Sequence, residues 1–307
     1  MSEYVLLTGG TGFIGSHLLE ELLNQNKKVI LLKRSFSNTW KISEFLEHEN
    51  LTLKNIDEEN LSDIFNQYDI NGIFHLSAFM QRKHESESIK EMIDSNITFP
   101  CQLLENSINS NVKFFINTGS FFEYKLANSP ISENHEIESF NLYGATKTAF
   151  EDILKFYQNS YGLNCSTLKL FTPYGPKDDE RKIVPYLIIN SLKKNDILIK
   201  SPDKILDFIY VTDIADAYIS VMNSISKFKD YNSFNVGTGI GTTIKDVLAI
   251  IESKLGKNEN VSFENVESDK VWCSNEKIKE LTGWTAKTKL EDGIGQTIRY
   301  YKNRYGI

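Results

Sequence analysis

The sequence predicts an α/β protein: a doubly wound parallel sheet in the first half of the chain, followed by a second, smaller α/β domain. Three observations carry this reading. Short apolar runs alternate with helical stretches from Tyr4 to Phe171, each run is apolar almost throughout, and a glycine-rich turn joins the first run to the first helical stretch. A strand covered by helices on both faces has no wet side, so its apolar residues are continuous. Strand–helix alternation over this length implies parallel strands joined by crossover helices.

The elements follow in order. Tyr4–Thr8 (YVLLT) is the first strand, and Phe13–Asn24 carries Ile14, Leu18, Leu22 and Leu23 at helical spacing. KVILLK is the next strand, and Asn71–Ala78, Val112–Gly119 and Asn164–Phe171 are later ones. Beyond Phe171 the pattern loosens into the turn-rich TPYGPKDDERK, a helix over Val184–Lys194 and a short strand pair within DILIKSPDKILDFIYV. A helix over Asp213–Ser224, a strand and turn in SFNVGTG, a helix over Thr243–Leu255 and a last helix after LEDGIG complete the chain. The expected division is 1–171 for the larger domain, with 207–250 partly returning to it, and 172–307 for the smaller one.

Composition removes several classes. The chain has 307 residues and a net charge of −7, with both signs interspersed and no Lys/Arg block, so no nucleic-acid partner is expected. The three cysteines, Cys101, Cys165 and Cys273, are far apart and odd in number. They form neither a metal spacing nor a disulfide framework, which points to a reducing cytoplasm and no bound metal. The apolar runs are strand-length, so no membrane span is expected, and no leader precedes the first strand.

TGGTGFIG places Gly9, Gly12 and Gly15 between the first strand and the first helix. Glycines permit a sharp turn and a close backbone approach, and a helix N-terminus offers unpaired N–H groups and partial positive charge. The context is that of a dinucleotide pyrophosphate site, with Thr11, Phe13 and Ile14 alongside it; the alternative is a tight turn with no ligand. NAD-binding chains carry an acidic residue at the end of the second strand. Here Lys33, Arg34 and Ser35 stand there. Two cations and a hydroxyl suit a 2′-phosphate, which favours NADP over NAD; the alternative is a solvated strand end.

Tyr143 and Lys147 in LYGATK lie four positions apart and share one face of a helix. Read alone, they are an ordinary helix start or a proton-transfer pair. Together with TGGTGFIG, FHLSA, FFINTGSFFEY, PYGP, DFIYVTDIADAY, NVGTG and LTGW, in that order along nearly the whole chain, they resemble the extended short-chain dehydrogenase/reductase family, the NAD-dependent epimerase/dehydratase-like enzymes of nucleotide sugars. The resemblance implies a Rossmann domain for 1–171 and a nucleotide-sugar-binding domain for 172–307. It implies Ser120, Tyr143 and Lys147 as catalytic residues. Tyr143 would exchange a proton with the sugar oxygen, its pKa lowered by the Lys147 ammonium and the nicotinamide cation. Lys147 would also hold the nicotinamide ribose, and Ser120 would hydrogen-bond the reacting oxygen. Asp57 would touch the adenine, Leu76, Ser77 and Ala78 would line the cofactor, Asn96 would stand behind the site, and Pro173 and Tyr174 would lie near the nicotinamide. His75 reads as structural. Phe121, Phe122, Thr172, Arg181, Val184 and Lys204 would meet the substrate.

The departures narrow the chemistry. No carboxylate pair follows Thr118, no Cys follows Ser120, and Glu123 reads as too far along the loop to act there. What remains is hydride transfer at one carbon. The chain looks most like the CDP-4-keto-6-deoxyhexose reductases, the abequose and paratose synthases of surface-polysaccharide pathways, so an NADPH-dependent 4-ketoreductase is expected. A 4-epimerase with retained NAD(P) is the alternative, and a non-catalytic NADP-binding regulatory protein is another. Relatives often have an Arg before the DF motif, where this chain has Leu206. Pairing through the helix carrying Tyr143 and Lys147 would give a homodimer.

Overall fold

A computed structural model describes residues 3–81 and 83–307. Its centre is a seven-stranded sheet in which every adjacent pair is parallel. In chain order the first half runs β1 (Tyr4–Thr8), α1 (Phe13–Asn24), β2 (Lys28–Lys33), β3 (Leu51–Asn55), α2 (Leu61–Gln67), β4 (Ile70–His75), α3 (Ile89–Ile93), α4 (Phe99–Ile108), β5 (Phe114–Ser120), α5 (Leu142–Tyr161) and β6 (Asn164–Leu170). The second half runs β7 (Thr172–Tyr174), α6 (Ile183–Lys193), β8 (Ile197–Ile199), β9 (Ile205–Leu206), β10 (Phe208–Tyr210), α7 (Val211–Ser224), β11 (Asn232–Val236), β12 (Thr242–Thr243), α8 (Ile244–Leu255), β13 (Val261–Phe263), α9 (Glu276–Thr282) and α10 (Leu290–Tyr305).

The order across the sheet is β11-β6-β5-β4-β1-β2-β3. Chain direction across the sheet reverses between β1 and β4, and ligands bind outside the carboxyl ends of strands at such a point. Thr8 and His75 sit side by side there, with Lys33 and Ser120 ending neighbouring strands. Helices α1 and α7 cover one face through a core that includes Leu18, Leu22, Ile214 and Tyr218. Helices α2, α4 and α5 cover the other, with Ile64, Leu103, Phe150 and Leu154. A separate apolar cluster joins α6, α8 and α10 to β8 and β10. Of the stretch 207–250, α7 and β11 join the large sheet, whereas α8 packs in the smaller cluster.

The structure departs from the sequence reading at several elements. β3 was not expected; LTLKN is half-buried at every position, an edge strand without a continuous apolar run. The strands within 197–210 do not pair with one another: β8 pairs with β13, β9 with β12 and β10 with β7. LEDGIG lies inside α10 rather than before it. α9 was missed; it is short and largely charged, and buries Ile278 against the large core, where Trp284 joins it. The DF and NVGTG motifs meet: buried Asp207 accepts from Thr238 N at 2.7 Å, Thr238 Oγ1 at 2.6 Å and Gly239 N at 2.9 Å.

Candidate active site

The site gathers where β1, β2, β4 and β5 end. Gly9 takes φ +72°, and a Cβ there would sit 2.6 Å from Ser77 N; a Cβ on Gly15 would sit 2.2 Å from Gly9 O. The turn is therefore closed against its own backbone and against the strand after β4. Gly12 caps α1 without a side-chain acceptor, and no acidic residue occupies the first turn. The first N–H groups of α1, near Phe13 and Ile14, are left for an anion. Thr8 Oγ1 lies 2.9 Å from His75 Nδ1 and accepts from Leu76 N and Ser77 N at 3.2 Å each. This fixes Leu76 and Ser77 along the cleft, with Ala78 exposed beside them. Buried His75 is held well below its ordinary pKa by desolvation, so it stays neutral, as a structural residue should. Ser77 Oγ is buried with no partner among the described residues. A closed glycine turn, an uncapped helix and an orphaned hydroxyl fit a nicotinamide dinucleotide.

At the adenosine end the structure redistributes the expected roles. Lys33 Nζ is turned towards β3, where it donates to Asn55 Oδ1 at 2.8 Å, and it also reaches the carbonyls of Arg34 and Ser35. Arg34 is the open cation: its guanidinium lies 4.8 Å from the Phe36 ring centre and only loosely, at 3.9 Å, from Glu91. Asp57 accepts from Ser35 N at 2.8 Å and Ser35 Oγ at 2.7 Å. Those bonds, the hydroxyl's first, hold its carboxyl below the usual range.

Tyr143 is the second residue of α5, whose N-terminus is capped by Asn141 Oδ1 accepting from Gly144 N at 2.8 Å. Tyr143 and Lys147 are both buried, with Lys147 Nζ 5.8 Å from the Tyr143 ring centre. The expected depression of the Tyr143 pKa is absent in the chain itself. Burial, and then the Glu123 carboxylate, raise it, so the side chain is a phenol. Burial pushes Lys147 down to about 8. Ser120 ends β5 and caps a 3₁₀ turn, Phe121–Glu123, its Oγ accepting from Phe122 N at 3.3 Å. That turn fixes Glu123, which the sequence reading set aside as too far along the loop to act on a substrate. It folds the side chain back, so Glu123 Oε1 accepts from Ser120 N at 2.7 Å.

Asn96 is buried in a π turn between α3 and α4. It accepts from Phe79 N at 2.8 Å and donates both amide hydrogens, to Phe79 O at 3.0 Å and Thr146 Oγ1 at 3.0 Å. It ties the strand-end loop to α5. Val184, expected at the substrate, is 1% exposed inside the smaller core. The Arg181 fork closes on Asp179 at 2.6–3.2 Å. Tyr174 is buried against Phe208 and Tyr210. Thr172 and Pro173 lie half-buried in β7 beside β10, and Lys204 is half-buried before β9. Leu206 is buried and paired with Thr242. The segment after β7 is held over α1: His17 Nε2 donates to Pro176 O at 3.0 Å, and Lys177 pairs with Glu44 at 3.0 Å. A cleft of about 610 Å³ opens there, lined by Phe13, Trp40, Lys182 and Arg304 among others.

Two features escaped the sequence reading, apart from Phe121 and Phe122 in the first. Met92, Phe79, Phe121, Phe122 and Leu142 pack with Tyr143 into an apolar wall. Phe140 continues it, its ring 4.9 Å from that of Phe122. Beneath the catalytic loop, Lys169 Nζ lies 3.2 Å from Glu123 Oε2 and 3.0 Å from Glu151 Oε2, all three buried. A lysine inside a strand covered on both faces was the available signal, since such a charge needs partners.

Comparison with known proteins accords with this geometry. The chain is similar to the CDP-abequose synthase of Salmonella typhimurium, 28% identical with 97% of this chain and 98% of that one covered. It is equally similar to the UDP-glucuronate 4-epimerase of Thermodesulfobacterium geofontis, 28% identical with 97% and 96% covered. The crystal structure of the UDP-glucose 4-epimerase of Thermotoga maritima with UDP-glucose superposes with a TM-score of 0.85 at 26% identity, covering 98% of this chain and 99% of that one. The family model described as the NAD dependent epimerase/dehydratase family matches residues 5–237, and the chain belongs to that family.

Proposed function

We propose that this protein is an NADPH-dependent reductase of a nucleotide-linked 4-keto-6-deoxy sugar. The observation that carries the reading is the apolar wall around Tyr143. Met92, Phe79, Phe121, Phe122 and Leu142 offer no side-chain partner to a hydroxyl or carboxylate at the sugar's C6, but they accept a methyl group. A buried hydroxyl without a partner costs about 1–3 kcal/mol, and an unpaired carboxylate far more. The likeness to CDP-abequose synthase supports the same reading, and the open Arg34 supports a 2′-phosphate on the cofactor.

The dinucleotide would lie against the turn Gly9–Gly15, the first turn of α1, Arg34, Ser77 and Lys147. Once bound, it supplies the hydride for the carbonyl carbon. Tyr143, held as a phenol, donates its proton to the carbonyl oxygen as the C=O π bond becomes C–H and O–H. Ser120 Oγ–H hydrogen-bonds the same oxygen, and the Lys147 ammonium favours the phenolate that remains. Two copies pairing through α5 would cover its exposed Phe156 and Tyr161.

The second reading is a 4-epimerase, favoured by the equal likeness to a UDP-glucuronate 4-epimerase. The test is a panel of nucleotide sugars assayed with NADPH and NADH. The wall predicts turnover of 4-keto-6-deoxyhexoses; comparable kcat/KM on UDP-glucose or UDP-glucuronate would contradict it.

A further inference from the structure

We infer that Glu123 is a positioning residue that aims Ser120 and sets the electrostatic field at Tyr143 and Lys147, and that the proton shared by its buried cluster makes turnover pH-dependent. The inference deepens the reductase reading and rests on it for its kinetic arm.

The geometry is specific. Glu123 is fully buried, and its two oxygens face different tasks. Oε1 accepts from Ser120 N at 2.7 Å, closing a capping box with the Ser120 side chain. Oε2 faces Lys169 at 3.2 Å. The carboxylate fits because residue 119 is glycine; a Cβ there would lie 2.7 Å from Oε1. Ser120 is thus held through its own backbone by a charge-assisted bond, and its hydroxyl is oriented on that backbone by the Phe122 N–H it accepts at 3.3 Å.

The charge count is uneven. Glu123 from the 3₁₀ turn and Glu151 from α5 share one buried cation, Lys169 from β6; the half-exposed Lys155 of α5 reaches only the outer oxygen of Glu151, at 3.6 Å. With all three ionised, a net negative charge would be sealed in the interior, which desolvation opposes. Burial raises the Glu123 carboxyl to about 7, with Glu151 adding to the rise and Lys169 opposing it. The other groups facing the cluster are Tyr124, whose ring centre is 4.6 Å from Lys169 Nζ, Tyr231, Glu133 and Lys277, and on α5 Lys155 beside Glu151 and the pair Tyr143 and Lys147. Ionised Glu123 raises the pKa of both Tyr143 and Lys147. It therefore keeps the acid protonated and the lysine charged, the state that reduction of a ketone requires.

The test uses the full chain and two variants. Glu123→Gln keeps the acceptor to Ser120 N but removes the charge; Glu123→Ala removes both. In ¹⁵N-labelled protein the Ser120 amide resonance should titrate between about pH 6 and about pH 8 in the parent and stay flat in Glu123→Gln. This readout needs no substrate. With a 4-keto sugar, Glu123→Gln should shift the alkaline limb of kcat down by roughly 0.5–1 pH unit. Glu123→Ala should lower kcat about tenfold or more with KM little changed, since misaim costs the transition state. A Ser120 amide that does not titrate in the parent, or titrates equally in Glu123→Gln, overturns the inference, as does an unmoved pH limb in Glu123→Gln. If no sugar is reduced by the parent, the reductase reading fails and the amide titration alone decides this one. If Glu123→Gln does not fold, the parent amide decides in the same way.

Discussion

Replacing Lys169 with Met removes the only cation lying within 4 Å of either Glu123 Oε2 or Glu151 Oε2 among the described residues, apart from Lys155 on the outer oxygen of Glu151. Methionine fills much of the volume, so the loss is chiefly electrostatic. Lys169 is 2% exposed, so solvent screens little of it. Breaking a buried pair by removing one partner costs about 3–5 kcal/mol. For a chain of 307 residues that corresponds to a fall in Tm of roughly 5–8 °C. The pH dependence has a definite sign. The folded-state carboxyl of Glu123 is raised from 4.5 to about 7, so between those values the folded state binds more protons than the unfolded one and stability falls as pH rises. Without Lys169 the two carboxylates repel each other, the folded value rises further and the window extends upward. Melting curves of parent and Lys169→Met should therefore diverge more at about pH 8 than at about pH 6. An equal loss at both, or none, would refute the buried-pair argument.

Further substitutions probe the cofactor and the chemistry. Arg34→Asn should weaken NADPH binding by about tenfold to a hundredfold while leaving NADH almost unchanged, measured by cofactor fluorescence; equal losses for both would remove Arg34 from the 2′-phosphate. Gly15→Ala brings a Cβ within 2.2 Å of the Gly9 carbonyl, which is backbone and cannot yield, so cofactor binding should be lost; normal titration would show that the turn tolerates bulk. Tyr143→Phe keeps the ring and removes the proton, so kcat should fall about a hundredfold or more with cofactor affinity within about twofold. Lys147→Met should damage both binding and turnover, and an effect on one alone would split its two roles.

The parts of the site read from sequence were those encoded locally. The turn Gly9–Gly15 follows a strand and opens a helix, and Tyr143 and Lys147 share a face by spacing alone, so the turn lies between β1 and α1 and the pair in the first turns of α5, as the pattern required. What escaped the sequence depends on partners distant along the chain. Lys169 looked like part of an apolar run, and its acids arrive from the turn after β5 and from α5. Glu123 reads as remote from Ser120 along the chain until a 3₁₀ turn folds it back. Val184 sits in the first turn of α6, where the resemblance implied a substrate contact, yet its side chain faces the smaller core. The partners of β8, β9 and β10 follow tertiary packing rather than adjacency. The Tyr143 pKa was argued from the Lys147 ammonium and a nicotinamide cation, whereas in the chain itself burial, and then Glu123, raise it.

The most direct test of the account is the stoichiometry of turnover. The protein is mixed with a nucleotide-linked 4-keto-6-deoxyhexose and NADPH, and absorbance loss is followed against sugar product. The proposed reductase, with its apolar wall beside Tyr143 and that tyrosine held as a phenol, predicts one NADPH consumed per 4-hydroxy sugar formed, with the ketone as the accepted substrate. Interconversion of two 4-hydroxy sugars on catalytic cofactor, with no net change in absorbance, would contradict the reductase and establish the epimerase in its place.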